Sequence, residues 1–186
     1  RLVGEGGMAL VYEIRRADGA DEGPLALKVL KIPHRSIQRR LITEGKAQGR
    51  LTHPNVVSVK AIVEVEGSPG LVMELVEGID LDVLLNRGRL EVEAVDQLAV
   101  PIIEGVAAAH EAGLIHRDLK PANVLLAGAP GAWVPKIADF GIARIVDSGD
   151  DGARATRTGM AMGTPSFMAP EQIRNAKDTD ARADVY

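Results

Sequence analysis

The run His116-Arg117-Asp118-Leu119-Lys120-Pro121-Ala122-Asn123, followed by Val124-Leu125-Leu126 and then by Asp139-Phe140-Gly141, is the part of this 186-residue chain best equipped for chemistry. An acid and an amide five residues apart, with a second acid just after a strand-like run, supply oxygen ligands suited to Mg²⁺. That ion keeps several waters and shares its remaining ligands between carboxylates and phosphate oxygens. The fixed residue types of the first run (His, Arg, Asp, Leu and Asn) would coincide by chance with a probability on the order of 10⁻⁴ or less. A charged loop that merely capped a helix would not explain why Asp139 stands before Phe140-Gly141 as well.

Two weaker features lie upstream. Gly4-Glu5-Gly6-Gly7-Met8-Ala9 is a glycine-rich turn, with Val11 two places beyond Ala9. In a chain with 20 Gly, a bare G-x-G arises by chance roughly twice. Strand-like residues flank the turn on both sides, and no helix follows to hold a pyrophosphate as a Rossmann fingerprint requires. Such a loop reads either as a flap over phosphates or as a hairpin turn with spare glycines. In Leu25-Ala26-Leu27-Lys28-Val29-Leu30, a period of two puts Ala26, Lys28 and Leu30 on one face and Leu25, Leu27 and Val29 on the other. Lys28 then either points from a buried sheet toward an anion or is a solvated edge residue.

The elements that must position these groups fall into two kinds. Leu2–Gly4, Leu10–Ile14, Leu25–Ile32, Val56–Val65 and Leu71–Val76 read as strands, the last two separated by Gly67-Ser68-Pro69-Gly70. Ser36–Leu51 reads as a charged helix. From about Asp80 the period changes: Val95, Leu98, Ala99, Ile102, Val106 and Ala109 share one helical face, and Gly113 is placed to cap that helix. Pro101 lies inside it and should cost about 3 kcal/mol or force a kink. Ala127–Pro135 reads as a surface loop carrying Trp133, and Asp147–Met162 as a long polar loop of the kind that usually carries function.

Composition narrows the classes. With 46% apolar and 26% charged residues the chain can bury a core. A net charge of −4 and only 3% aromatic residues argue against a nucleic-acid partner. The lack of cysteine excludes disulfides, zinc ribbons and thiol catalysis and fits a reducing, cytoplasmic setting. His34, His53, His110 and His116 are not at metal-ligand spacings. No apolar run approaches the roughly 20 residues of a membrane span. The first residue is Arg1 and the pattern stops at Tyr186, which suggests a fragment cut at both ends; a parent anchored by a downstream segment fits equally.

On these motifs the chain resembles the eukaryotic-type protein kinase family, particularly its bacterial serine/threonine members, over essentially its whole length. The resemblance implies an α+β, bilobal fold: a strand-rich small lobe and hinge over 1–78, and part of a mainly helical large lobe over 79–186. It implies ATP and Mg²⁺, with Mn²⁺ as a substitute, and protein substrates phosphorylated on Ser or Thr. Asp118 would be the catalytic base and Lys120 would neutralise the transferred phosphoryl group, while Asn123 and Asp139 would bind the metal. Lys28 would hold the α- and β-phosphates, paired with Glu44, nine residues before His53-Pro54-Asn55. Gly4, Glu5, Gly6 and Gly7 would cover the phosphates. Val11, Ala26 and Leu125 would line the nucleotide site, with Met73 as gatekeeper, the backbone of Glu74 and Val76 on adenine, and Asp80 near the ribose. Ala169-Pro170-Glu171 would end the activation segment, and the buried acid Asp184 would brace the catalytic loop.

Lys120, and Gly163-Thr164-Pro165-Ser166 ahead of Ala169, are similar to serine/threonine rather than tyrosine kinases. Arg117 beside Asp118 suggests a guanidinium left unpaired until a phosphate arrives, with autophosphorylation in trans at Thr156 and Thr158; those threonines are equally well ordinary loop residues. The chain departs from the family at Ala9, Leu25, Phe167 and Gln48. Gly45 and Gly49 flank Gln48, each costing its helix up to about 1 kcal/mol, which suggests a helix that depends on docking. A catalytically dead scaffold of the same fold is the rival reading, against which Lys28, Asp118, Asn123 and Asp139 are all present. A chain of this length could also be inactive in isolation.

Overall fold

The computed structural model describes residues 1–6, 9–17, 23–31, 35–140, 165–174 and 179–186. They form two compact units, Arg1–Thr52 with Val57–Leu75, and His53–Val56 with Val76–Tyr186.

The first unit is built on an antiparallel five-stranded sheet of β1 (Leu2–Glu5), β2 (Ala9–Ile14), β3 (Leu25–Leu30), β4 (Val59–Val65) and β5 (Ser68–Glu74), in the order β1-β2-β3-β5-β4. The β4–β5 turn is tighter than the glycine and proline content suggests. Glu66 and Gly67 both take positive φ, 50° and 78°, which closes a two-residue hairpin and leaves Ser68-Pro69-Gly70 inside β5. Pro69 pairs with Glu64 of β4, while the β3 register stops at Gly70, so its missing N–H interrupts no ladder on the β3 side. Helix α1 (Arg35–Gln48) packs against β4 and β5. Gly45 is what allows the approach: a Cβ there would lie 2.7 Å from Leu71 Cδ2 and 3.3 Å from Ile62 Cδ1. Gln48 is buried and donates from Nε2 to the Val57 carbonyl at 3.1 Å, so this polar residue at an inward position ties the helix to the segment that leads into β4.

Among the described residues, the second unit holds the sheet of β6 (Gly78–Asp80), β7 (Val124–Ala127) and β8 (Val134–Ile137), helices α2 (Leu81–Leu85), α3 (Val92–Glu111) and α4 (Pro170–Arg174), and the 3-10 turns Pro121–Asn123, Pro165–Phe167 and Ala181–Asp184. His53–Val56 belongs to this unit because Asn55 Nδ2 donates to the Pro135 carbonyl, Ile137 N–H donates to the Asn55 carbonyl, and Val56 bridges Ile137. The strand expected from Val56 therefore begins only at Val59. Residues 127–135 are a hairpin between β7 and β8 rather than a loop running to Pro135. Trp133 corrects the surface reading: it packs against Leu98, Val124 and Leu126. On α3, Leu98, Val106 and Ala109 are buried as the period requires, but Val95 is 45% exposed. The helix closes on Gly113 at φ 76°, with Leu114 N–H bonded to the Ala109 carbonyl and Gly113 N–H to that of His110. This is the paired C-terminal cap for which glycine is suited. α3 continues through Pro101 without interruption, and nothing in the structure explains that proline.

Candidate active site

Between Leu114 and Val124 the backbone runs without helix or strand apart from the 3-10 turn, so its groups need other partners. Asp184 supplies them. Its carboxylate, 1% exposed, accepts the backbone N–H of His116 at 2.7 Å and that of Arg117 at 2.7 Å, and lies 2.8 Å from His110 Nε2. These bonds hold Arg117 at φ 64°, a left-handed conformation that costs a non-glycine residue roughly 1 kcal/mol or more. The Arg117 guanidinium, expected to stand unpaired, donates from Nη2 to the Thr179 carbonyl at 3.3 Å. A carbonyl is an uncharged partner that a phosphate could replace, but the group is not vacant.

His116 is fully buried, and its two ring nitrogens have different partners. Nδ1 accepts the Asp118 N–H at 3.2 Å, so Nε2 carries the proton and donates it to the Ala138 carbonyl at 2.8 Å. Burial holds its pKa below the ordinary histidine value, against the opposing pull of the Ala138 carbonyl and the carboxylates of Asp184, Asp139 and Asp118. The ring packs against Phe140 with centroids 4.8 Å apart. Through these contacts and the bond from Ala138 N–H to the Asn123 carbonyl, the 116–123 loop and the β8 end that carries Asp139 form one assembly. Asp139 itself sits at φ 67°.

Within the loop, Lys120 Nζ lies 2.7 Å from Asp118 Oδ2, and Asn123 Nδ2 donates to the Asp118 carbonyl at 2.7 Å and to Oδ2 at 3.1 Å. Among the described residues both side-chain bonds fall on Oδ2, leaving Oδ1 as the oxygen to meet a new donor. The Asn123 amide nitrogen is committed to Asp118, so its carbonyl oxygen is the atom left for a cation. Asn123 and Asp139 thus offer two hard oxygen ligands, a set that fits a divalent ion sharing its shell with phosphate and water. Among the described residues no cluster of three or more acids and histidines could hold a metal ion.

In the first unit, Ala26 stands opposite Met73 and Lys28 opposite Leu71, so all four share one sheet face. All four are buried, and Leu71 is the residue that meets Gly45 of α1, the neighbour of Glu44. The face carrying Lys28 is therefore the one α1 covers, and Lys28 is no solvated edge residue. Val11 pairs with both Gly4 and Lys28. Gly6 N–H closes a turn onto the Ala9 carbonyl, while Glu5 pairs with Lys31 at 2.6 Å, which lowers its pKa. Glu74 and Ser58 bond reciprocally, the Glu74 N–H to the Ser58 carbonyl and the Ser58 N–H to Glu74 Oε1. Val76 follows half-buried. In the second unit Asp80 caps α2 by accepting Val83 N–H on Oδ1, and Leu125 pairs with it across β6 and β7. Gly7, Thr156, Thr158 and Thr164 lie outside the described residues.

The sequence reading missed Gln172, which bonds the 116–123 loop directly: Nε2 donates to the Arg117 carbonyl at 2.7 Å and Oε1 accepts Ala169 N–H at 3.0 Å. A glutamine three places after Ala169, with Pro170 between, is the sequence signature of a helix start and could have drawn attention to it.

A five-stranded sheet bearing a buried lysine and one helix, and a separate unit in which an acid, a lysine and an amide converge beside a second acid, define the protein kinase class of fold. The chain belongs to the protein kinase domain family, whose model matches residues 1–186. It is 40% identical to the serine/threonine-protein kinase pkn3 of Myxococcus xanthus, covering 100% of this chain and 34% of that protein. It is 44% identical to the serine/threonine-protein kinase PkaA of Streptomyces coelicolor, covering 87% of this chain and 30% of that one. The chain thus spans about a third of the length of these relatives. Among solved structures it resembles the PknI kinase domain of M. tuberculosis, with a TM-score of 0.74 at 31% identity over 99% of this chain and 66% of that one. Among the described residues no helix is long and apolar enough to cross a membrane.

Proposed function

We propose that the protein transfers the γ-phosphoryl group of ATP to Ser or Thr hydroxyls of protein substrates. The convergence of Lys120 and Asn123 on one oxygen of Asp118 carries this reading. It holds the carboxylate in a single orientation and directs Oδ1 toward an incoming hydroxyl. Asp118 accepts the hydroxyl proton as the oxygen attacks the γ-phosphorus and the bond to the β–γ bridging oxygen breaks, releasing ADP, and Lys120 balances charge on the equatorial phosphoryl oxygens. Asn123 and Asp139 would hold Mg²⁺, or Mn²⁺ in its place, which when bound neutralises charge on the β- and γ-phosphate oxygens. Lys28, oriented by Glu44, holds the α- and β-phosphates under the turn of Gly4, Glu5, Gly6 and Gly7. Val11, Ala26, Met73 and Leu125 give apolar contact, the backbone of Glu74 and Val76 reads adenine, and Asp80 binds the ribose through Oδ2. Most of the rate comes from positioning and fixed electrostatics, which is what a loop pinned at this many points supplies.

The same reading covers lobes over 1–78 and 79–186, a cytoplasmic setting where ATP is abundant, and trans-autophosphorylation at Thr156 and Thr158 with the phosphate taking the Thr179 carbonyl's place on Arg117. The test is incubation of the full-length protein with labelled ATP, a generic basic protein and Mg²⁺, Mn²⁺ or EDTA, followed by phosphoamino-acid analysis. Metal-dependent phosphoserine or phosphothreonine is the expected product. ATP binding with no transfer, or transfer only to tyrosine, contradicts the proposal.

A further inference from the structure

We infer that Gln172 is a positioning residue for Asp118, acting through the peptide unit that joins Arg117 to it. The inference rests on the assignment of Asp118 as the catalytic base. Both ends of that peptide are held: the Asp118 N–H donates to His116 Nδ1 at 3.2 Å, and the Arg117 carbonyl accepts from Gln172 Nε2 at 2.7 Å. The plane so fixed sets the direction in which the Asp118 side chain leaves the backbone. It needs fixing, because the Asp184 bonds that hold Arg117 at φ 64° act on N–H groups before this peptide and leave the rotation about the Arg117 Cα–C bond to the contacts at its carbonyl end, and that rotation would swing Asp118 with it.

A simpler role for Gln172 is local. Ala169 precedes α4, and a Gln or Glu three residues later commonly reaches back to accept the N–H of the residue before the helix. Gln172 Oε1 does so at 3.0 Å. That duty alone would be met as well by Glu, whose charge also suits a helix start. Only an amide keeps a donor for the Arg117 carbonyl while it caps. The side chain thus joins the end of the segment preceding α4 to the catalytic loop, 55 residues away in sequence, by one hydrogen bond at each end.

Gln172→Glu separates the two roles, since it keeps the cap and places a carboxylate oxygen against a carbonyl. In the full-length protein at pH 8, where the new side chain is ionised, kcat should fall about ten- to a hundredfold with KM for ATP unchanged, and the melting temperature should drop only by the loss of one part-buried hydrogen bond, leaving the protein folded at the assay temperature. Gln172→Met, which removes cap and bridge together, should lower kcat as much and lower the melting temperature further. A wild-type kcat for Gln172→Glu would overturn the inference, as would a loss explained entirely by a smaller folded fraction. Asp118→Asn is assayed alongside. If it stays active, the assignment of Asp118 fails and the positioning role falls with it; if it is dead while Gln172→Glu is fully active, only the bridge is refuted.

Discussion

Helix α1 docks on its sheet by close packing, with Gly45 set against Leu71 and Ile62, and a side-chain bond from Gln48 to the Val57 carbonyl adds to it. The 116–123 loop is held by polar contacts, with Asp184, His116, Asn123 and Gln172 each bonded to its backbone. The difference follows from what each segment satisfies internally. A helix pairs most of its own N–H and C=O groups and needs only an apolar face for docking. A loop with a left-handed residue in its middle has no ladder, so every buried backbone group must find a partner elsewhere. Moving the loop therefore breaks several hydrogen bonds at once, whereas moving α1 first disturbs its packing.

That contrast can be broken most severely at Asp184. Asp184→Ala strands the N–H groups of His116 and Arg117 in a buried site, and should cost about 3 kcal/mol or more of stability along with most of the activity. Urea unfolding and phosphotransfer by the full-length protein measure the two losses. On the α1 side, Gly45→Val should cost about 1–3 kcal/mol by overpacking Leu71, and should raise KM for ATP more than it lowers kcat, since the loop is untouched. An equal kcat loss from both variants would mean that the two segments are not held independently.

The smallest effect is expected from pH. His116 is neutral in the fold with its pKa lowered by burial, whereas in the unfolded chain it titrates near 6.5. Above that value both states are neutral and the group contributes nothing to pH dependence. As pH falls through it, the unfolded chain takes up a proton that the native ring resists, so stability declines. Melting temperatures recorded between pH 7.5 and 5.5 should fall modestly. A rise over that interval would contradict the neutral assignment.

Much of the candidate site was legible in sequence because its residues lie in short linear runs. His116 to Asn123 and Asp139-Phe140 could be read without knowing any long-range contact, whereas the strand alone left Lys28 open between a buried face and a solvated edge until its pairing with Leu71 placed it. What escaped depends on distant partners. Gln48 looked like a misplaced polar residue, and only the nearby Val57 carbonyl explains it. Gly45 looked like a weak point in a helix until the approach of Leu71 showed why no Cβ fits. Val95 matched the helical period of α3 yet lies on a part of the helix that no described element covers. β6 and α2 were missed because Gly78–Asp80 and Leu81–Leu85 are too short to carry a period, and form by pairing with β7 and by the Asp80 cap. Gln172 has a recognisable local signal, but its second bond reaches back to Arg117 and has no signature of its own.

The most direct test of the central claim is phosphotransfer from Mg²⁺-ATP by the full-length protein against its Asp118→Asn variant, with ATP affinity measured on both. The account predicts unchanged ATP affinity and a fall in kcat of about a thousandfold, because the amide keeps the shape but cannot take the proton. Equal rates from the two proteins would contradict it.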